Sequence, residues 1–172
     1  GLVRMDNNLN VVPDIAETWT VSADRKTYTF NIKNGIYFHE SEYFENGQSR
    51  NVNAYDFEYS FNRLIDSDVA SPGAWIMNNV ESFEAINDSI FEIHLENEFN
   101  SFLEILTMKY CSVVPKEVVQ SLGNSFSKKP IGTGPFKFKR WDENIKLVLV
   151  KNKNYHEFDQ EGNRLPYLDA IS

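Results

Sequence analysis

Apolar and polar residues alternate most regularly between positions 14 and 33. Tyr28, Phe30 and Ile32 take one side, and Thr27, Thr29, Asn31 and Lys33 the other. That period of two predicts a strand with one apolar and one wet face. Trp19, Thr20 and Val21 precede it across a short polar connector at 23–26, so the two arms predict a hairpin. Lys33-Asn34-Gly35 reads as a turn, because Asn and Gly both tolerate positive φ. Ile36 to His39 then form another short extended run.

The pattern changes to a helical period after a polar loop at 40–52 that contains Asn46-Gly47. Asn53 with Asp56 three positions on has capping-box spacing, and Phe57, Phe61, Leu64 and Ile65 follow as one apolar stripe whose expected role is core packing. A loop ending in Ser71-Pro72 leads to Gly73-Ala74-Trp75-Ile76-Met77, which is too apolar for an ordinary surface loop. Trp75 is therefore either a packed ring or a ring lining a pocket. Phe83 and Ala85, a turn at Asn87-Asp88-Ser89, then Phe91, Ile93 and Leu95 predict a second hairpin, with His94 on its wet face.

Ser101 and Glu104 repeat the capping-box spacing ahead of Phe102, Ile105 and Leu106. Tyr110 to Val114 reads as extended and buried, Pro115 as the first turn of a short helix, and Gly123 as the position just past its end. The densest Gly/Pro cluster, Ile131-Gly132-Thr133-Gly134-Pro135-Phe136, precedes a third hairpin that turns at Asp142-Glu143-Asn144. Residues 151–164 are polar and loop-like, and Leu165-Pro166-Tyr167-Leu168 is expected to resume burial. Hairpins alternating with short helices place the chain in the mixed α and β class, α/β in the broad sense.

Composition narrows the function classes. A net charge of −8 over 172 residues argues against nucleic acid and anionic membrane surfaces. No apolar run is long enough to span a bilayer, and no direct membrane insertion is expected. Cys111 is the single cysteine, so no internal disulfide can form. Both ends fall in apolar or half-formed elements and read as cuts, predicting a piece of a longer protein.

Catalytic patterns are missing. His39, His94 and His156 are widely spaced and match no metal-ligand motif, and each is expected to be a surface or internally satisfied residue. Gly132-x-Gly134 lacks a third glycine, Pro135 removes a donor, and a strand rather than a helix follows, so it is not a dinucleotide loop. Asp159, Glu161 and Asn163 fall short of a calcium loop and read as a solvated turn. The expectation is a non-enzyme without cofactor or metal.

Read as ordered strings, the residues carry more. Pro13-Asp14-Ile15-Ala16-Glu17-Thr18-Trp19, Lys33-Asn34-Gly35-Ile36-Tyr37-Phe38-His39 and Ala54-Tyr55-Asp56-Phe57-Glu58-Tyr59-Ser60-Phe61 come first. Val114-Pro115-Lys116-Glu117-Val118-Val119, Pro130-Ile131-Gly132-Thr133-Gly134-Pro135-Phe136, Lys151-Asn152-Lys153-Asn154-Tyr155 and Leu165-Pro166-Tyr167-Leu168-Asp169 follow in order. Together they resemble the family 5 extracellular solute-binding proteins, the peptide and nickel receptors of ABC importers. One departure is the longer loop at 40–52, expected to have little effect.

The resemblance implies a periplasmic-binding-protein-like class II fold, with this chain as part of its first lobe. Residues 11–129 would be the extra subdomain, 1–10 and 130–172 pieces of the main subdomain, and the second lobe absent. It implies capture of a peptide or other small solute for delivery to ABC permease subunits of the inner membrane. It also implies a periplasmic or extracytoplasmic location, with or without a lipid anchor upstream. By the family's pattern, Trp75, Met108, Tyr110 and Thr133 approach the ligand. Core packing remains open for Met108 or Tyr110, and a purely structural turn remains open for Gly132-Thr133-Gly134. The alternative function is a non-transport sensing or protein-interaction module on the same fold.

Overall fold

The computed structural model describes the backbone of residues 1–172 and every side chain except that of Asn46. The chain divides into two compact units. One is Gly1–Asn34 with Asn53–Val114, and the other is Gly35–Val52 with Pro115–Ser172.

The first unit is built on the amphipathic hairpin. Strands β1 (Val3–Met5) and β2 (Val11–Pro13) form a small antiparallel pair. Strands β3 (Ala16–Val21) and β4 (Thr27–Ile32) are the predicted hairpin. Two later strands, β5 (Val80–Asn87) and β6 (Ile90–Leu95), complete an antiparallel sheet of order β3-β4-β6-β5. Register places Phe30 opposite Phe91 and Tyr28 opposite Ile93, so the apolar sides of β4 and β6 share one face.

Helix α1 (Ala54–Ile65) belongs to the same unit. The Asn53 side chain accepts from the Asp56 N–H at 3.2 Å, and the Asp56 carboxylate accepts from the Asn53 N–H at 3.0 Å, so the predicted capping box is complete. Phe57 and Phe61 are fully buried. The Phe61 ring meets Phe91 at 5.5 Å and Phe83 at 5.7 Å, both edge-on, an arrangement aromatic quadrupoles favour. Ile65 departs from the predicted stripe and is 48% exposed. Eight residues beyond Phe57 it has rotated about 80° from that ring at 3.6 residues per turn, and the helix ends there.

Helix α2 (Phe102–Leu106) begins after Ser101 as expected, but the Ser101 side chain makes no capping bond. Its backbone sits at φ −95°, ψ 22° rather than in the extended conformation that aims an N-cap oxygen at the first amides. The run from Tyr110 is not wholly extended either: Lys109–Cys111 forms a single 3-10 turn, and only Cys111 and Val113 are fully buried in it.

The second unit contains α3 (Lys116–Leu122), with Pro115 as its N-cap residue and Gly123 at φ 52° closing its end. Its antiparallel sheet has the order β7 (Phe136–Asp142), β8 (Lys146–Lys151), β9 (Ala170–Ile171). The 40–52 loop is not passive. It buries Phe44, whose ring stacks on Phe38 at 6.0 Å. Arg50 lies over both rings and grips the Glu117 carboxylate through two hydrogen bonds of 2.5 and 2.8 Å. The expected burial at 165–168 is not seen, since Tyr167 and Leu168 are both exposed. The Tyr167 hydroxyl instead donates to Asp159 at 2.5 Å, and exposure of the ring follows the pull of that surface carboxylate.

Candidate functional site

Three of the expected ligand-facing residues, Trp75, Met108 and Tyr110, lie in the first unit. The segment after Pro72 forms one 3-10 turn, Ala74–Met77. Ile76 and Met77 are buried and anchor it, while Trp75 is 48% exposed. Of the two roles open for Trp75, the turn selects display: the ring is not part of the core.

Gly73 explains the approach of the second segment. A Cβ there would lie 2.4 Å from Cγ of Tyr110 and 2.7 Å from its Cδ1. Only glycine leaves room for that ring against the start of the turn. Tyr110 is half-buried, with the Lys109 ammonium 5.8 Å from its ring centroid. Met108, immediately before the 3-10 turn, is 39% exposed. The 73–77 and 108–111 segments thus meet through Gly73 and Tyr110, and each presents a large apolar side chain to solvent. Cys111 next door is inert, because burial pushes its thiol up to about 12.

Thr133 lies in the second unit, half-buried between Gly132 and Gly134. Two buried polar side chains hold this loop. His39 Nε2 is 2.9 Å from the Gly134 carbonyl, and Asn152 Nδ2 donates to the same oxygen at 3.0 Å. The His39 backbone N–H donates to the Gly132 carbonyl at 2.7 Å, and the Asn152 N–H to the Pro135 carbonyl at 2.8 Å. Burial pulls His39 below its ordinary 6.5, against the opposing pull of the Gly134 carbonyl. Local pattern carries no sign of this role. Phe38 and His39 are consecutive and both buried, so no alternation marks the histidine.

The other candidates for chemistry have hydrogen-bond partners of their own. Asp159 accepts from the N–H groups of Glu161 and Asn163, the Asn163 amide and the Tyr167 hydroxyl. Those donors, Tyr167 foremost, hold it down at about 2, as the solvated-turn reading requires. Glu84, Glu92 and His94 bring one ligand atom each within 4.8 Å of one another on the wet face of the β5–β6 hairpin. Thr29 donates to Glu92 at 2.8 Å and the Thr27 hydroxyl lies 3.1 Å from His94 Nδ1, which accounts for their orientation. Among the described residues, no helix is long and apolar enough to cross a membrane.

The family model for bacterial extracellular solute-binding proteins, family 5 (middle), matches residues 10–172. The chain belongs to this family. Di/tripeptide-binding protein 1 of Pseudomonas aeruginosa is 30% identical over an alignment of 166 residues that covers 87% of this chain and 30% of the relative. The periplasmic binding protein DppA of Helicobacter pylori, solved with the peptide STSA, superposes with a TM-score of 0.84 at 30% identity. That match covers 98% of this chain and 35% of DppA. NikZ of Campylobacter jejuni, solved with Ni(L-His), gives a TM-score of 0.78 at 26% identity over 91% of this chain and 30% of NikZ. The class II binding-protein fold expected from the sequence is therefore the fold found, and this family 5 chain spans about 30% of the length of the curated relatives it matches.

Proposed function

We propose that the protein containing this chain is the substrate-binding component of an ABC importer. It captures a di- or oligopeptide outside the cytoplasm, in the periplasm or its equivalent, and delivers it to the permease subunits. The observation that carries this reading is membership of family 5 across 10–172, joined to a relative named for di- and tripeptides and a fold neighbour solved with a tetrapeptide. NikZ keeps a nickel complex within the same fold, so the solute is the finer part of the proposal.

In this reading 11–129 is the extra subdomain of the first lobe, and 1–10 with 130–172 belong to its main subdomain. Trp75, Met108 and Tyr110 form an aromatic and thioether wall, which buries ligand area with little loss of side-chain entropy. Thr133 adds a polar contact from the Gly132–Gly134 loop. A receptor of this kind works by population shift, because a ligand touching both lobes favours the closed state by its differential affinity. The components named act by binding, and no chemical step is assigned to them.

The test is thermal unfolding of the whole protein with dialanine, trialanine, tetraalanine and Ni(L-His). A peptide present at 100 times its Kd stabilises by about 2.7 kcal/mol, enough to move Tm by several degrees. Stabilisation by a peptide supports the proposal. Stabilisation by Ni(L-His) alone moves the solute to the nickel class. Stabilisation by no solute, with a protein partner stabilising instead, replaces transport by a sensing or interaction role.

A further inference from the structure

We propose that His39 is a positioning residue for ligand binding, held as the neutral Nε2–H tautomer so that it locks the Gly132-Thr133-Gly134 loop in its binding shape. The inference rests on Thr133 facing the ligand, as proposed above.

The hydrogen bonds fix the tautomer. The Gly134 carbonyl can only accept, so His39 Nε2 must donate across the 2.9 Å contact. The Gly132 N–H can only donate, and it points at His39 Nδ1 from 3.5 Å, so Nδ1 must keep its lone pair. The ring is thus bracketed by the two glycines that flank Thr133, and the His39 backbone N–H is bonded to the Gly132 carbonyl. Asn152 takes the second lone pair of the Gly134 carbonyl, and its own Oδ1 accepts from the Asn154 N–H at 3.0 Å. Among the described residues, His39 and Asn152 are the buried polar side chains of this unit, and both converge on one carbonyl. Two donors on a single carbonyl leave the loop little freedom to rotate a peptide plane.

Protonation would break the lock. A proton on Nδ1 would face the Gly132 N–H, donor against donor, in a buried site. The charged groups facing the ring are Lys137 of β7 and Glu40 of its own segment, and these pair with each other at 2.7 Å. Their fields oppose one another at the imidazole, so neither supplies a counter-charge that would rescue the cation. Depression of the histidine below 6.5 by burial agrees with that geometry. Binding should therefore weaken as pH falls below the ordinary histidine range, with His39 as the group responsible.

The test uses the whole protein. Nitrogen NMR of the ¹⁵N-labelled His39 ring at pH 7.5 is expected to show a protonated Nε2 and a bare Nδ1, and a titration lying below that of an exposed histidine. A protonated Nδ1, or a titration at the ordinary position, overturns the proposal without any ligand. The binding arm uses trialanine at pH 7.5 and pH 5.5. Thr133→Ala is expected to weaken binding about tenfold at both values, the scale of one lost polar contact. No effect of Thr133→Ala overturns the ligand-facing role of Thr133 and leaves the tautomer result to decide the lock. His39→Gln keeps a donor for the Gly134 carbonyl. It is expected to bind within about threefold of wild type at pH 7.5 and to lose the pH dependence, while His39→Phe loses about tenfold. A glutamine variant with the wild-type pH profile overturns the positioning role even where His39→Phe fails to fold.

Discussion

Two antiparallel sheets with apolar-rich strands meet different surroundings. In the first unit, the alternating apolar sides of β4 and β6 are sealed, with Phe30, Phe91 and Ile93 fully buried and the Phe57 and Phe61 rings of α1 against Phe91. In the second, β7 carries Phe136, Phe138 and Trp141 and β8 runs apolar from Leu147 to Val150, yet Trp141 and Leu147 remain 48% and 45% exposed, and Ile145 in the turn before β8 is more exposed still. A period of two states that one face of a strand is apolar. It does not state what covers that face, because the cover comes from residues far away in the chain. The sealed sheet is scaffold. In the second unit the buried polar side chains His39 and Asn152 hold the 132–134 loop, and in the proposed reading those groups bear on binding.

The largest expected effect breaks this comparison directly. Phe91→Ala should cost about 3–5 kcal/mol, because it empties a site where three other phenylalanine rings meet. Leu147→Ala should cost less than about 1 kcal/mol, since nearly half of the side chain already meets water. Urea unfolding of the two variants measures the pair, and equal losses would show that exposure does not separate the two sheets.

A smaller effect separates two helix starts that share a sequence spacing. Asn53→Ala should lose about 1 kcal/mol with its capping box. Ser101→Ala should be neutral within about 0.5 kcal/mol, as its side chain caps nothing. The same denaturation experiment reads both.

The smallest effects are titrations confined to the second unit. His39 is depressed, so the unfolded chain binds its proton first. Stability contributed by the neutral ring is full above 6.5 and falls as pH drops from there to the depressed value. Glu117 is lowered chiefly by its hydrogen bonds from Arg50, so its contribution is full above its ordinary 4.5 and is lost as pH falls through the lowered value. The Glu117 side chain is 43% exposed, so solvent screens the pair and its share is slight. Unfolding midpoints between pH 7.5 and 4 should show the first decline in wild type and not in His39→Gln.

Much of this fold was legible from local pattern. The alternation of Tyr28, Phe30 and Ile32, the Asn53 capping box and the glycine end of α3 are short-range signals, and each is found where it was expected. What failed depended on tertiary surroundings. Ile65 lay at the edge of its stripe, Ser101 needed a backbone conformation that spacing alone does not set, and Tyr167 was drawn outward by Asp159. The candidate site rested on the resemblance alone. Nothing in the composition around Trp75 separated a packed ring from a displayed one; that required the burial of Ile76 and Met77 beside it. His39 was invisible for the opposite reason, as its partners lie 93 and 95 residues away.

The central claim is that the displayed side chains of the first unit serve a peptide. Calorimetric titration of the whole protein with trialanine, wild type beside Trp75→Ala, tests it most directly. Removal of a half-exposed ring should leave the melting temperature nearly unchanged and weaken peptide binding at least about tenfold, the loss typical of an aromatic anchor. Equal affinity in the two proteins would contradict the account.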